Sequence, residues 1–144
     1  MSADPRRAAV ALFTAALALS GCAATDKAST GPKVSPATVE KLAGSELSKL
    51  TLTGKAVERL GIQVARALQS GKLLAVPYSA VVYDTKGQAW LFVNPAPGTY
   101  QRAQITVESM KDGTAYLTAG PPAGTPVVST GAAELYGAEL GIGK

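Results

Sequence analysis

Ser79-Ala80-Val81-Val82-Tyr83-Asp84-Thr85-Lys86-Gly87-Gln88-Ala89-Trp90-Leu91-Phe92-Val93 places two apolar runs on either side of a turn. Val and Tyr fill the first run, and Trp90–Val93 is the most apolar stretch of the chain's second half. Such residues pack well on a pleated surface. Between the runs, Asp84 can cap backbone amides and Gly87 can take a positive φ. The segment reads as a β-hairpin, with Trp90–Val93 as the core strand of a β domain.

The same grammar extends in both directions. Asn94–Thr99 holds two prolines and a glycine and reads as a loop. Tyr100–Ser109 alternates, with Ile105 and Val107 on one face and Gln104, Thr106 and Glu108 on the other. Lys111-Asp112-Gly113 is a second hairpin turn, and Thr114–Thr118 returns as a strand. Gly120-Pro121-Pro122-Ala123-Gly124 is a rigid turn before a short strand, Pro126–Ser129. From Gly131 the chain is rich in Gly and Ala and reads as a tail. On the N-terminal side, Leu73–Val76 is a strand stopped by Pro77, and Ser70-Gly71 is a turn. Ile62–Arg66 is another strand. Thr53 is placed to cap a short helix over Gly54–Leu60, with Gly61 at the position after its end. Leu50–Leu52 is a strand before it. Ala37–Lys49 is at best weakly helical, since Gly44 interrupts its pattern. The expected fold is mainly β. It is a small β-barrel or sandwich of about six to eight short strands with one short helix, preceded by a signal helix and a flexible tether.

The N-terminus sets the compartment. Arg6 and Arg7 precede an apolar stretch, Ala8 to Leu19, broken only by Thr14. At 1.5 Å per residue it reaches about 18 Å, against about 30 Å of hydrocarbon. That is too short for a stable span and fits the apolar region of a signal peptide. Leu19-Ser20-Gly21-Cys22 then resembles the lipobox of bacterial lipoproteins. The resemblance implies that the Cys22 thiol takes a diacylglycerol and that the bond before it is cut. Cys22 is the single cysteine of the chain, and lipidation accounts for a lone thiol in an exported protein. The expected division is a signal peptide over 1–21, lipidated Cys22 and tether over 22–49, the β domain over 50–135 and a flexible tail over 136–144. The expected location is the cell envelope, lipid-anchored to a membrane and facing the periplasm or the exterior.

Composition narrows the chemistry. The 144 residues carry 14 Lys and Arg against 10 Asp and Glu, a net +4, without a basic run. A nucleic-acid footprint would need a basic stripe with interleaved aromatics, so no nucleic-acid partner is expected. There is no histidine, which removes the commonest general base and metal ligand. With Cys22 carrying lipid, no thiol remains for zinc or nucleophilic catalysis. No metal, cofactor or catalytic residue is expected, and the chain does not read as an enzyme. Among carboxylates, Asp84 and Asp112 fit turn capping, Glu108 fits a solvent face, and Glu134 and Glu139 fit a solvated tail. Tyr83, Trp90, Phe92 and Tyr100 read as core aromatics at strand spacing.

A wider resemblance runs over about residues 50–135. Leu50-Thr51-Leu52-Thr53 with Ala56–Gln63 is similar to a segment of the periplasmic adaptor (membrane-fusion) subunits of RND-type efflux systems. So are Val76–Asp84 running into Ala89–Val93, then Tyr100–Val107, Ala119–Val128 and Gly131-Ala132, in that order. The resemblance implies the β-barrel and membrane-proximal regions of such an adaptor. The family's long helical hairpin and lipoyl-like domain have no counterpart in the sequence. The expected function is therefore a membrane-anchored, non-enzymatic interaction module that supports transport or efflux by docking on an RND-type transporter or another envelope protein. The alternative is a lipid-tethered small-ligand-binding protein, which needs a concave apolar pocket with a few polar groups. A cavity lined by Tyr and Trp would favour that alternative.

Overall fold

The computed structural model describes residues 35–142. The signal-peptide reading, the lipobox Leu19-Ser20-Gly21 and Cys22 lie outside the described residues. In chain order the elements are β1 (Ala37–Lys41), β2 (Ser48–Leu52), α1 (Gly54–Arg59), β3 (Gln63–Arg66), β4 (Leu68–Ser70) and β5 (Leu73–Pro77). A single 3-10 turn over Tyr78–Ala80 leads to β6 (Val82–Tyr83), β7 (Ala89–Ala96), β8 (Thr99–Lys111), β9 (Thr114–Ala119), β10 (Pro126–Thr130) and α2 (Ala132–Glu139). The fold is mainly β, as the patterning implied: a curled antiparallel sheet that forms a half-barrel.

Local chemistry explains the turns. The Thr53 hydroxyl accepts the Ala56 N–H at 3.3 Å and starts α1. Asp112 and Gly113 both have positive φ, 50° and 75°, the conformation that lets a two-residue turn follow the twist of its strands. β8 and β9 pair on either side of that turn, from Lys111 with Thr114 to Thr106 with Ala119. The Asp84 turn joins β6 to β7 with Val82 opposite Trp90.

The sheet runs β3-β10-β7-β8-β9-β5-β4. Its two end strands, β3 and β4, are consecutive in the chain and separated only by Ala67. Ala67 is fully buried, and its backbone bonds to Thr125 and Gly124 rather than to either strand's ladder. One stretch of chain thus serves both ends of the sheet, with a corner at a residue small enough to be enclosed. β8 makes the other bend. Up to Ile105 it pairs with β7, and from Thr106 with β9, with register irregularities between Thr106 and Ser109. Such bulges bend a strand and increase its twist.

Two cores flank the central strands. Leu91, Ile105, Leu117, Val76 and Val127 fill one. Phe92, Leu50, Tyr100, Val128 and Leu135 fill the other. Leu91 and Phe92 are neighbours on opposite faces, as are Val127 and Val128, and all four have no exposed surface. β7 and β10 are apolar without alternation because both of their faces are covered.

Several expectations change. Ala37–Lys49 is not helical: β1 and β2 form an antiparallel hairpin, Ala37 opposite Leu52, and β2 joins the sheet beside β8. Asn94–Ala96 belongs to β7 rather than to a loop. Pro95 is accommodated where the register with β8 shifts, between Val93 and Ala96, since proline has no N–H for a regular ladder. Ser79 and Ala80 lie in the 3-10 turn rather than in a strand. The stretch from Gly131 is a helix, α2, with Ala132 and Leu135 buried. No helix among the described residues is long and apolar enough to cross a membrane.

Candidate functional site

The chemistry of the described domain gathers around α2. Arg102 on β8 and Glu139 at the end of α2 are 2.6 Å apart, Nε to Oε2, with side chains only 11% and 3% exposed. The contact lies off the N–H direction, and neither atom has another hydrogen-bond partner among the described residues. The attraction is therefore one of charge. The other Glu139 oxygen accepts the backbone N–H of Ser48 at 3.2 Å. The Arg102 guanidinium lies 4.6 Å from the Trp90 ring centre and 5.2 Å from that of Tyr136. Both distances are within the range of cation–π attraction. A guanidinium suits this setting because its planar, weakly hydrated charge stacks on rings.

Trp90 carries the cluster into the β6–β7 turn. Its indole N–H donates to Asp84 Oδ2 at 3.0 Å, while Asp84 Oδ1 accepts the N–H groups of Lys86 and Gln88 at 2.8 and 2.9 Å. Desolvation pushes the Asp84 carboxyl up. The bonds from Gln88, Trp90 and Lys86, with the Lys86 charge, outweigh it and hold the group below its ordinary range. Asp84 is thus the turn cap expected of it, and also the acceptor for Trp90. Burial pushes the Tyr100 hydroxyl up.

The other candidates separate. Phe92 and Tyr100 are core residues, whereas Trp90 is half-buried beneath Arg102 and Tyr83 is 51% exposed. Glu139 is not solvated, and the reason is the partner that the fold brings to it. Glu134 is exposed on the other side of α2. The described residues hold no group of three or more His, Cys, Asp or Glu placed to bind a metal.

The ion pair fixes α2 as one wall of a groove. Leu135, Tyr136 and Glu139 face the sheet, while Glu134, Gly137 and Ala138 face α1 across a groove of about 1020 Å³. Leu52, Ala56 and Leu60 form the opposite side, and Ile142 reaches in from beyond α2. The lining contains no aromatic residue, so this is not the Tyr- and Trp-lined cavity that the ligand-binding alternative named. A smaller depression of about 580 Å³ lies by Arg66, Leu68, Gln69 and Tyr116. Sequence reasoning missed both the ion pair and the groove. The available signal was the Leu135, Tyr136, Glu139 spacing, which puts three side chains on one helical face.

Comparison with known proteins finds no matching family model, no similar curated protein and no similar solved structure.

Proposed function

We propose that this protein is a lipid-anchored module of the cell envelope that acts by contact with a membrane transporter. In design it corresponds to the membrane-proximal part of an RND-type periplasmic adaptor, and it has no active site of its own. The observation that carries the reading is the ordered set of adaptor-like motifs from Leu50 to Ala132, which falls on a curled antiparallel half-barrel. That is the kind of architecture the resemblance implies. Lipid on Cys22 would hold the domain at a membrane and raise its effective concentration near an embedded partner.

The surface offers contact elements. β4 is the end of the sheet, all three of its residues are exposed, and Leu68 is 62% exposed. An unpaired strand edge with an apolar side chain suits addition of a partner strand. The test is crosslinking in cells followed by purification of tagged full-length protein from membranes. Recovery of an RND-type transporter is expected. Residues 1–144 by themselves, which hold no long helical pattern, should not restore export when they replace a full-length adaptor. Crosslinking that recovers no transporter under any growth condition counts against the reading.

A further inference from the structure

The groove between α1 and α2 has the chemistry of a site for one apolar chain with one anionic end. Its walls are aliphatic, from Leu52, Ala56, Leu60, Ala138 and Ile142. Leu60 and Ile142 remain 36% and 70% exposed, apolar area that gains from being covered. Lys55 and Arg59 stand in the same lining, four residues apart on α1 and so on one face. Neither is ion-paired among the described residues. Glu134 is the single acidic residue of the lining, so the groove keeps a positive balance. The volume of about 1020 Å³ is at the upper end of small-ligand sites. Without an aromatic wall, a planar ring finds nothing to stack on, and a flexible alkyl chain fits better.

Gly137 adds a second argument. Glycine is unfavourable inside a helix, and Gly137 sits in α2 with a φ open to any residue. A Cβ built there meets nothing within 4 Å, because the space before it is the groove. The absent side chain keeps that space free.

We propose that this groove binds a single-chain anionic amphiphile, a long-chain fatty carboxylate. The alkyl chain lies against Leu52, Ala56, Ala138 and Ile142, and the carboxylate meets Lys55 and Arg59. The inference goes beyond the transporter-contact reading and does not rest on it. Co-purification tests that reading, and occupancy of the groove tests this one, so either fails without the other.

The experiment labels full-length protein in cells with a diazirine-bearing long-chain fatty acid, and in parallel with the fatty alcohol of the same length. Labelled peptides are mapped by mass spectrometry. The carboxylate probe should label peptides of α1 and α2. Gly137→Trp, which fills the groove, should lower that labelling about tenfold relative to Gly137→Ala, a loss equivalent to one decade in affinity. Paired Lys55→Glu and Arg59→Glu changes should lower carboxylate labelling about three- to tenfold, as expected for partly exposed charges, and leave the alcohol's unchanged. Circular dichroism of each variant verifies the fold, and the charge variants keep the test open if Gly137→Trp does not fold. Three results overturn the proposal: no labelling of α1 or α2 peptides by the carboxylate probe, labelling retained in a folded Gly137→Trp protein, or equal labelling by acid and alcohol. The last would mean that this face merely touches lipid.

Discussion

Glu139 and Arg102 are the two side chains whose placement depends most on each other. Each is buried, and a buried charge without its partner costs far more than the pair does. Glu139→Ala should therefore destabilise the domain by about 3–5 kcal/mol. Replacing both residues by Met should recover most of that loss, because an apolar pair of similar size carries no desolvation penalty. Urea denaturation followed by the fluorescence of Trp90, the one tryptophan, measures both. A second prediction concerns Asp84. Its carboxyl titrates below the ordinary value of 3.8. A group depressed in the folded state adds stability above its unfolded value and loses that contribution as pH falls through the folded one. Asp84→Asn should thus be less stable than wild type at neutral pH. The gap should close as pH drops below 3.8, and denaturation curves across pH would show it. A constant gap would mean that the Trp90 and backbone bonds do not depend on the charge. Asp84's capping role was legible because the backbone N–H donors that it accepts lie two and four residues away. Glu139 was not, because Arg102 is far off in the chain and the pair exists only once α2 docks.

Among the elements, α2 is where local pattern and outcome part. Ala132, Ala133, Glu134, Leu135, Ala138 and Glu139 favour a helix, but an eight-residue helix is too short to stand on propensity and gains most of its stability from packing one face. Here Leu135 is enclosed by the core and Glu139 is held by Arg102. Gly131 sets the entry. It has φ of 87°, and an added Cβ would press into Ile62 Cδ1. Gly131→Ala should cost about 1–3 kcal/mol through that strained conformation and raise hydrogen exchange over Ala132–Glu139. Gly137→Ala should do the reverse and stabilise α2 by about 0.5–1 kcal/mol, since its Cβ meets open space. Thermal unfolding distinguishes the two signs. The β-hairpins behaved differently. The turns at Asp84–Gly87 and Asp112–Gly113 were readable because Asp and Gly there act on their own backbone. β1 was not readable. It is stabilised by pairing with β2 along its whole length, and its alternation is too weak to identify a strand without that neighbour.

At the scale of the molecule, the proposed lipid anchor carries one prediction. If Cys22 carries lipid, Cys22→Ser should move the protein out of the detergent phase in phase-partitioning experiments, because a hydroxyl cannot replace the thiol in the alkylation. A mutant that still partitions with detergent after signal cleavage rules out the lipid anchor. What the sequence by itself determined is the set of features that act over a few residues. These are the mainly β class, most strand positions from Ile62 to Ser129, the capped start of α1 and the Asp-Gly turns. Each follows from backbone sterics and the two-residue period of a pleated strand. What only the tertiary structure decided is which strands meet. That covers β10 between β3 and β7, the addition of the β1–β2 hairpin to β8, the corner at Ala67, and the docking of α2 that buries Glu139 and opens the groove. The physical reason is that burial and charge pairing depend on partners distant in the chain, and their energies exist only when the whole sheet has curled to bring those partners together.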